Sequence, residues 1–177
     1  MPINIFRMKS LLEHFPPALA LKLAMAEGVR AMFDPHCRHS HAQLGEDIAI
    51  EAMLGRRPPG YYVDVGCHHP VKCSNTLGLY SRGWRGLVVD GNAELIKTFK
   101  RLRPHDLAVH AVVSDTERDD VFSIAVAPEL STVSRAFEAE RLGERDIAQR
   151  VSVRTRTLES LFREHKVPRR FELLSVD

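Results

Sequence analysis

The clearest indication of the fold is the segment Tyr61-Tyr62-Val63-Asp64-Val65-Gly66, and Gly86-Leu87-Val88-Val89-Asp90 has the same form further along the chain. Each is a short apolar run with an acidic residue at or near its end, which is typical of a strand buried in a parallel sheet. Residues 108–113 predict a third strand, and Phe171-Glu172-Leu173-Leu174-Ser175-Val176-Asp177 predicts a fourth beside the first. Helical patterns separate the strands, so the sequence predicts an α/β fold with a doubly wound parallel sheet.

Two further regions extend this core. Residues 121–126 and 151–156 both have strand patterns and predict an inserted antiparallel ribbon, with a charged helix near residues 135–145 between them. The first part of the chain is helical by pattern and is interrupted at Pro16-Pro17. We therefore predict a helical N-terminal extension over residues 1–42 and a main domain over residues 43–177.

Composition limits the class of protein. The chain has 177 residues, of which 44% are hydrophobic and 27% are charged, enough to build one hydrophobic core. Its formal net charge of +2 does not indicate a nucleic-acid-binding protein. Three cysteines do not form a disulfide framework, and no apolar run is long enough to cross a membrane. The expectation is a soluble, cytoplasmic protein without a transmembrane segment.

Acidic residues follow the predicted strands. Asp64, Asp90, Asp115 and Asp177 lie at or just past four strand ends, where open α/β sheets bind their ligands. A carboxylate at the end of the second strand is suited to binding the two hydroxyls of a ribose, which points to Asp90. Gly66 lets the backbone approach a ligand where a Cβ would collide with it. The set predicts a site for a nucleoside-containing cofactor.

The loop after the first strand narrows the choice of cofactor. Dinucleotide enzymes carry a G-x-G-x-x-G fingerprint there, whereas Gly66-Cys67-His68-His69-Pro70 has only its first glycine. A cofactor with a ribose and a cationic centre but no phosphate fits better, and S-adenosyl-L-methionine is such a cofactor. An NAD- or nucleotide-sugar-dependent enzyme on a related fold stays open as the less favoured reading.

Several blocks also resemble one family, the FkbM-type methyltransferases. Tyr62-Val63-Asp64-Val65-Gly66-Cys67-His68-His69-Pro70 with Ser74-Asn75-Thr76 resembles the family's first cofactor motif and the loop after it. The block Tyr80-Ser81-Arg82-Gly83-Trp84-Arg85-Gly86-Leu87-Val88-Val89-Asp90 is similar to the next. Gln43-Leu44-Gly45-Glu46-Asp47 resembles the family's entry motif, and Leu173-Leu174-Ser175-Val176-Asp177 the start of its D-x-E-G motif.

The resemblance implies a Rossmann-like sheet of class I methyltransferase type and an S-adenosylmethionine-dependent transfer of a methyl group. The acceptor is expected to be an oxygen of a small molecule or a glycan. The residues that it places at the cofactor are Asp64, Gly66, Cys67 and Asp90, with Ser114 and Asp115 near the adenine. A catalytic base is needed only if the acceptor is a hydroxyl, and the candidates by motif position are His68, His69 and Asp177.

Two departures from the family lead to further expectations. The Glu-Gly that follows the family's last aspartate and the remaining strands of its sheet are not in the sequence. We therefore expect a fragment of a longer protein or a shortened relative, so a non-catalytic binding module of the same fold is the main alternative. We also expect self-association through an unpaired edge of the sheet. Cys37, His39 and His41 with the histidines of the loop do not have the spacing of a structural zinc site, so no metal is predicted.

Overall fold

The computed structural model describes residues 5–33, 40–127, 131–132 and 134–177. Its helices are α1 (Ile5–His14), α2 (Pro17–Phe33), α3 (Glu46–Leu54), α4 (Leu77–Ser81), α5 (Ala93–Leu102), α6 (Arg135–Arg141) and α7 (Leu158–Glu164). Its strands are β1 (Tyr61–Val65), β2 (Arg85–Asp90), β3 (Leu107–His110), β4 (Val112–Val113), β5 (Asp119–Ala125), β6 (Ile147–Arg156) and β7 (Leu173–Val176). A short 3-10 helix, Glu144–Asp146, precedes β6.

The main sheet has four parallel strands in the order β3-β2-β1-β7. The chain steps from β1 to β2 and β3 in one direction and then returns to the other side of β1, so that β7 pairs with it. The α/β class with a parallel sheet is thus confirmed, as is the prediction that the fourth strand lies beside the first. The arrangement is compatible with a Rossmann-like fold.

Helices cover both faces of this sheet. On one face Tyr62 and Val88 pack with Leu79 of α4 and Phe99 of α5, and the single tryptophan, Trp84, is buried in the same cluster. On the other face β1 and β2 supply Val63, Val65, Leu87 and Val89, which pack with Leu161 of α7. Because alternate residues of a strand point to opposite faces, an apolar run with few polar positions is what two covered faces require.

The predicted third strand is wrong in its extent. Residues 108–113 form one apolar run, but the structure divides them between two sheets. β3 ends at His110, opposite Asp90, whereas Val112 and Val113 pair in parallel with the end of β6. The predicted ribbon is confirmed, because β5 pairs antiparallel with β6 from Asp119 opposite Arg154 onward. The charged helix between them is shorter than predicted.

The N-terminal helices pack beside α4. α1 ends at His14 and α2 begins at Pro17, so the predicted interruption at Pro16-Pro17 is confirmed. Proline suits the first position of a helix, where its missing N–H has no partner to lose. The helix pair buries one small apolar cluster against α4, made of Leu11, Phe15, Ala20, Ala24, Leu77 and Tyr80.

None of the helices in the part of the chain that the structure describes combines the length and the apolar character needed to span a bilayer.

Candidate functional site

The carboxyl ends of β1, β2 and β7 meet at one edge of the main sheet. β1 lies between the other two strands, and the direction in which the chain adds strands reverses between β1 and β7. Open α/β sheets bind ligands in the crevice at such a reversal. The loop after β1, residues 66–76, crosses this edge and leads into α4. Six of the residues predicted for the site lie on this loop or at the strand ends beside it: Gly66, Cys67, His68, His69, Asp90 and Asp177.

Asp90 is held in place by two backbone amides. Its Oδ2 accepts a hydrogen bond from His68 N–H at 2.9 Å, and its Oδ1 accepts one from Asn92 N–H at 2.7 Å. Partial burial raises the pKa of Asp90, against the opposite effect of these two hydrogen bonds. Each carboxylate oxygen has a second acceptor position, so Asp90 retains the capacity to accept from two ligand hydroxyls.

Gly66 is required by the protein itself at this point. It has φ +75°, in the left-handed region, and its N–H donates to Val89 O at 2.9 Å. A Cβ on Gly66 would lie 2.7 Å from the backbone oxygen of Asp177, closer than atoms of a folded protein approach. The glycine therefore allows β1 and β7 to end side by side.

The Cys67 side chain does not face the edge. Its backbone N–H donates to Val89 O at 3.1 Å, whereas the side chain is 2% exposed and packs in the core beneath α4 and α5. Burial raises the pKa of the thiol well above its ordinary value. Only the backbone of Cys67 is therefore placed to meet a ligand, and the thiol is unsuited to act as a nucleophile.

The two histidines of the loop differ in what their rings do. His69 Nδ1 accepts hydrogen bonds from Val71 N–H at 3.1 Å and Lys72 N–H at 3.2 Å, which fixes the turn. This places the proton of a neutral ring on Nε2, and burial together with His68 and Lys72 lowers the pKa of His69. A ring held in this way has no free nitrogen to accept a substrate proton. His68 has a left-handed backbone, φ +50°, and its ring is not engaged in this turn.

Asp177 joins the site from β7. Its N–H donates to Val65 O at 3.0 Å, and its Oδ2 accepts from Asn75 Nδ2 at 3.1 Å. Asn75 also donates to Ser175 Oγ at 3.1 Å and so connects the loop to β7. Partial burial, and to a lesser degree the charge of Glu46, raise the pKa of the Asp177 carboxyl. Glu46 begins α3, so the segment 43–47 also reaches this edge.

Asp64 lies under the edge, inside the protein. Its side chain is 1% exposed, and its Oδ2 accepts a hydrogen bond from Thr76 Oγ1 at 2.7 Å. Burial raises the pKa of Asp64 to about 6, with the Thr76 hydrogen bond acting in the opposite direction. Asp64 was predicted to contact the cofactor. In the structure its carboxylate instead contacts the hydroxyl of Thr76, the residue that precedes α4.

A cluster of buried polar side chains lies next to Asp64, and the sequence did not predict it. Arg103 and Asp106 form an ion pair at 2.7 Å, and both side chains are fully buried. The Arg103 guanidinium also donates to Tyr62 Oη at 2.5 Å, Thr76 Oγ1 at 3.1 Å and Ser74 Oγ at 3.3 Å. Within the described residues, no buried side-chain nitrogen or oxygen lacks a hydrogen-bond partner. In the sequence, Arg103 and Asp106 come just after the end of α5, where charged side chains are usually exposed to solvent. Nothing in the sequence therefore indicates that this ion pair is buried.

Ser114 and Asp115 lie in an exposed turn after β4. Ser114 N–H donates to Arg156 O at 2.9 Å, and the Asp115 side chain accepts from the hydroxyls of Ser114 and Thr116. These hydrogen bonds lower the pKa of Asp115. The turn is thus tied to the second sheet, because the chain leaves the main sheet after His110.

The described residues contain no group of three His, Cys, Asp or Glu side chains that could hold a metal ion, and Cys37 and His39 lie outside them. Comparison of the chain with models of known protein families, with curated proteins and with solved structures gives no match.

Proposed function

We propose that this protein binds S-adenosyl-L-methionine at the carboxyl edge of its sheet and is a methyltransferase of the FkbM type. The observation that carries the proposal is Asp90, a carboxylate fixed by two backbone amides at the end of the second strand, with acceptor capacity left for two ribose hydroxyls. Its position next to β1, at the strand-order reversal, supports a nucleoside ligand.

The family resemblance gains support from where its blocks lie in space. The loop block reaches the β7 block through the Asn75 to Asp177 hydrogen bond, and the charge of Glu46, in the entry block, acts on Asp177. Ser74 N–H donates to His41 O at 2.9 Å, and His41 N–H in turn donates to Asp47 Oδ2 at 2.6 Å. Segments far apart in the chain therefore converge on one site.

A dinucleotide fits this edge less well. Binding a pyrophosphate requires backbone amides at a helix N-terminus directly after the first strand. Here eleven residues separate β1 from α4, which has only five residues and begins with buried side chains. The carboxylate of Asp177 beside Gly66 would also repel a phosphate. These features favour a cofactor without phosphate.

The chain's own residues have limited tasks in such a reaction. When bound, the cofactor supplies a methyl group that its sulfonium already makes electrophilic. The protein must hold the ribose, through Asp90, and exclude water while an acceptor oxygen approaches. If the acceptor is a hydroxyl of a small molecule or a glycan, Asp177 and His68 are the candidates to take its proton, because His69 Nδ1 is engaged in the turn.

The proposal extends to self-association. Among the residues that the structure describes, β7 is the outermost strand of the main sheet on its side, and its Leu174 and Val176 are 47% and 62% exposed. An unpaired edge with exposed apolar side chains accepts a further strand readily. A second copy of the chain is one source of that strand.

Calorimetric titration tests the proposed function. The wild-type chain should bind S-adenosylhomocysteine and S-adenosylmethionine more tightly than NAD, and Asp90→Ala should weaken that binding about ten- to hundredfold, as expected for a hydrogen bond to a charged group. Asp119→Ala removes an exposed carboxylate of β5 and is the matched control, with unchanged affinity. No binding of either sulfur compound to the wild type, or tighter binding of NAD, contradicts the proposal.

Transfer of a labelled methyl group distinguishes the enzyme from the binding module. The chain is incubated with labelled S-adenosylmethionine and mixtures of small molecules or glycans, and label in the acceptor fraction is measured. Transfer supports a methyltransferase, whereas tight cofactor binding without transfer supports the non-catalytic alternative.

A further inference from the structure

The helix pair α1–α2 contacts the loop of the candidate site as well as α4. Its small apolar cluster includes Leu77 and Tyr80 of α4, and Val71 of the loop packs against the same cluster. Val71 lies in the turn that His69 fixes, four residues before Asn75. Val71 therefore joins the loop of the candidate site to the helix pair.

His14, the last residue of α1, contributes polar contacts here, in addition to the hydrogen bond that Ser10 Oγ of α1 donates to Ser81 O of α4 at 3.0 Å. Its Nδ1 lies 3.0 Å from Arg85 Nη2, and its backbone oxygen accepts a hydrogen bond from Tyr80 Oη at 2.9 Å. Its ring meets the rings of Tyr80 and His105 edge-on, with centroids 6.3 and 6.4 Å apart. Arg85 is itself held by Trp84 O at 2.6 Å and by the face of the Tyr80 ring.

This geometry requires an unprotonated Nδ1. A guanidinium has only donors, so the nitrogen facing it must be an acceptor. The titratable or charged groups that face His14 are Arg85 of β2, His105 before β3, Tyr80 of α4 and Glu13 of its own helix. Burial and then Arg85 lower the pKa of His14 below 6.5, while Glu13 acts in the opposite direction.

We propose that His14 is a proton-sensitive latch that holds the α1–α2 pair on α4 and the site loop and releases it when the ring is protonated. A proton on Nδ1 would stand opposite the Arg85 guanidinium and would remove the only acceptor between them. Release of the pair exposes Val71, which lies between His68 and Asn75 in the loop. The inference goes beyond the proposed function and does not depend on any cofactor.

The sign and size of the effect follow from proton linkage. Because docking lowers the pKa of His14, the proton binds more tightly to the undocked state. Docking is at full strength above the ordinary histidine pKa of 6.5 and weakens as the pH falls from 6.5 towards the lowered value. One proton changes the docking equilibrium by at most about tenfold per pH unit.

Hydrogen exchange of the full 177-residue chain at pH 7.5 and pH 5.5 tests the latch, with rates corrected for the intrinsic pH dependence of exchange. In the wild type, protection of α1 should fall by up to about tenfold at pH 5.5, while β1 and β2 keep theirs. His14→Asn places an amide oxygen near the position of Nδ1, so α1 of this variant should stay protected from exchange at both pH values. His14→Lys carries a permanent cation and should lose protection at both.

A second histidine at a helix end provides the matched control. His165 caps α7 next to Glu164, away from the helix pair, so His165→Asn should keep the wild-type pH response of α1. Equal protection of wild-type α1 at both pH values, or the same loss in His14→Asn, overturns the proposal. An equal loss in β1 and β2 also overturns it, because the whole domain rather than the latch would then respond to the proton.

Discussion

Replacing Arg103 with methionine tests what the buried polar cluster contributes to stability. Methionine fills much of the same volume but removes every donor of the guanidinium. Asp106 would remain fully buried with its charge unpaired, although Tyr62 Oη and Gly86 N–H still donate to it. Breaking one partner out of a buried ion pair costs about 3–5 kcal/mol. Since a domain of this kind is stable by about 5–15 kcal/mol, the loss is a large part of the total.

The chain contains a matched control for this substitution. Lys97 and Glu94 of α5 have the same i, i+3 separation as Arg103 and Asp106 and a similar distance, 2.6 Å against 2.7 Å. Their side chains are 70% and 78% exposed, whereas those of the buried pair are not exposed at all. Lys97→Met should therefore change the free energy of unfolding by no more than about 0.5 kcal/mol.

Urea unfolding measures both variants, with the fluorescence of the single buried Trp84 as the signal. Burial already raises the pKa of Asp106 while Arg103 lowers it, so removing Arg103 raises it further. When the folded-state pKa of a carboxyl is raised, the protein becomes less stable as the pH rises through that range and more stable as the pH falls. The difference in the free energy of unfolding between the wild type and Arg103→Met should therefore become smaller at acidic pH. A loss below about 1 kcal/mol at neutral pH, or a deficit that does not change with pH, refutes this account of the cluster.

Three further outcomes are expected. A thiol reagent should modify exposed Cys73 quickly and leave buried Cys67 unreacted in the native chain, as counted by mass spectrometry; equal rates contradict the placement of Cys67. Gly66→Ala should lower the free energy of unfolding by about 1–3 kcal/mol, because of its positive φ and the approach of Asp177 O; an unchanged urea midpoint contradicts this. The molar mass from light scattering should rise with concentration in the wild type and less in Leu174→Lys; a wild-type monomer at all concentrations excludes pairing through β7.

The local signals in the sequence predict much of the fold. The apolar runs of β1, β2 and β7 are visible because strands covered on both faces need few polar residues. Two helix starts also follow a local rule, because a residue type that favours the N-cap precedes each helix: the Asn92 side chain accepts from Glu94 N–H, and the Thr157 side chain accepts from Ser160 N–H. Such caps depend only on residues within one turn, so a sequence shows them directly.

Non-local pairing explains the error in the third strand. Ala111 lies between β3 and β4, and its N–H donates to Asp90 O at 3.1 Å. Two residues further on, Val113 pairs with Arg156, far away in the chain. Hydrophobic periodicity reports that a residue is buried and not which strand covers it. A continuous run therefore gave no sign that it is shared between two sheets.

The site was predictable where it depends on strand ends and unpredictable where it depends on side-chain direction. Asp90 is the last residue of β2, so the rule for carboxyl ends places it at the edge. Asp64 precedes the last residue of β1 and alternates with Val63 and Val65, which puts it on the same face as Tyr62. That face is covered by α4 and α5, so the alternation alone would have placed Asp64 inside the protein.

The buried cluster gives the exposed edge its shape. The Thr76 hydroxyl donates to Asp64 of β1 and accepts from Arg103, which follows α5, so one side chain ties the end of the loop to two elements of the core. At the start of the loop, the Asp90 carboxylate holds the amide of His68. A loop fixed at both ends by groups with little freedom to move loses little entropy when a ligand binds. Burying two carboxylates and a guanidinium beneath this edge therefore holds the end of the loop at Thr76 in one arrangement, while Asp90 holds its start at His68.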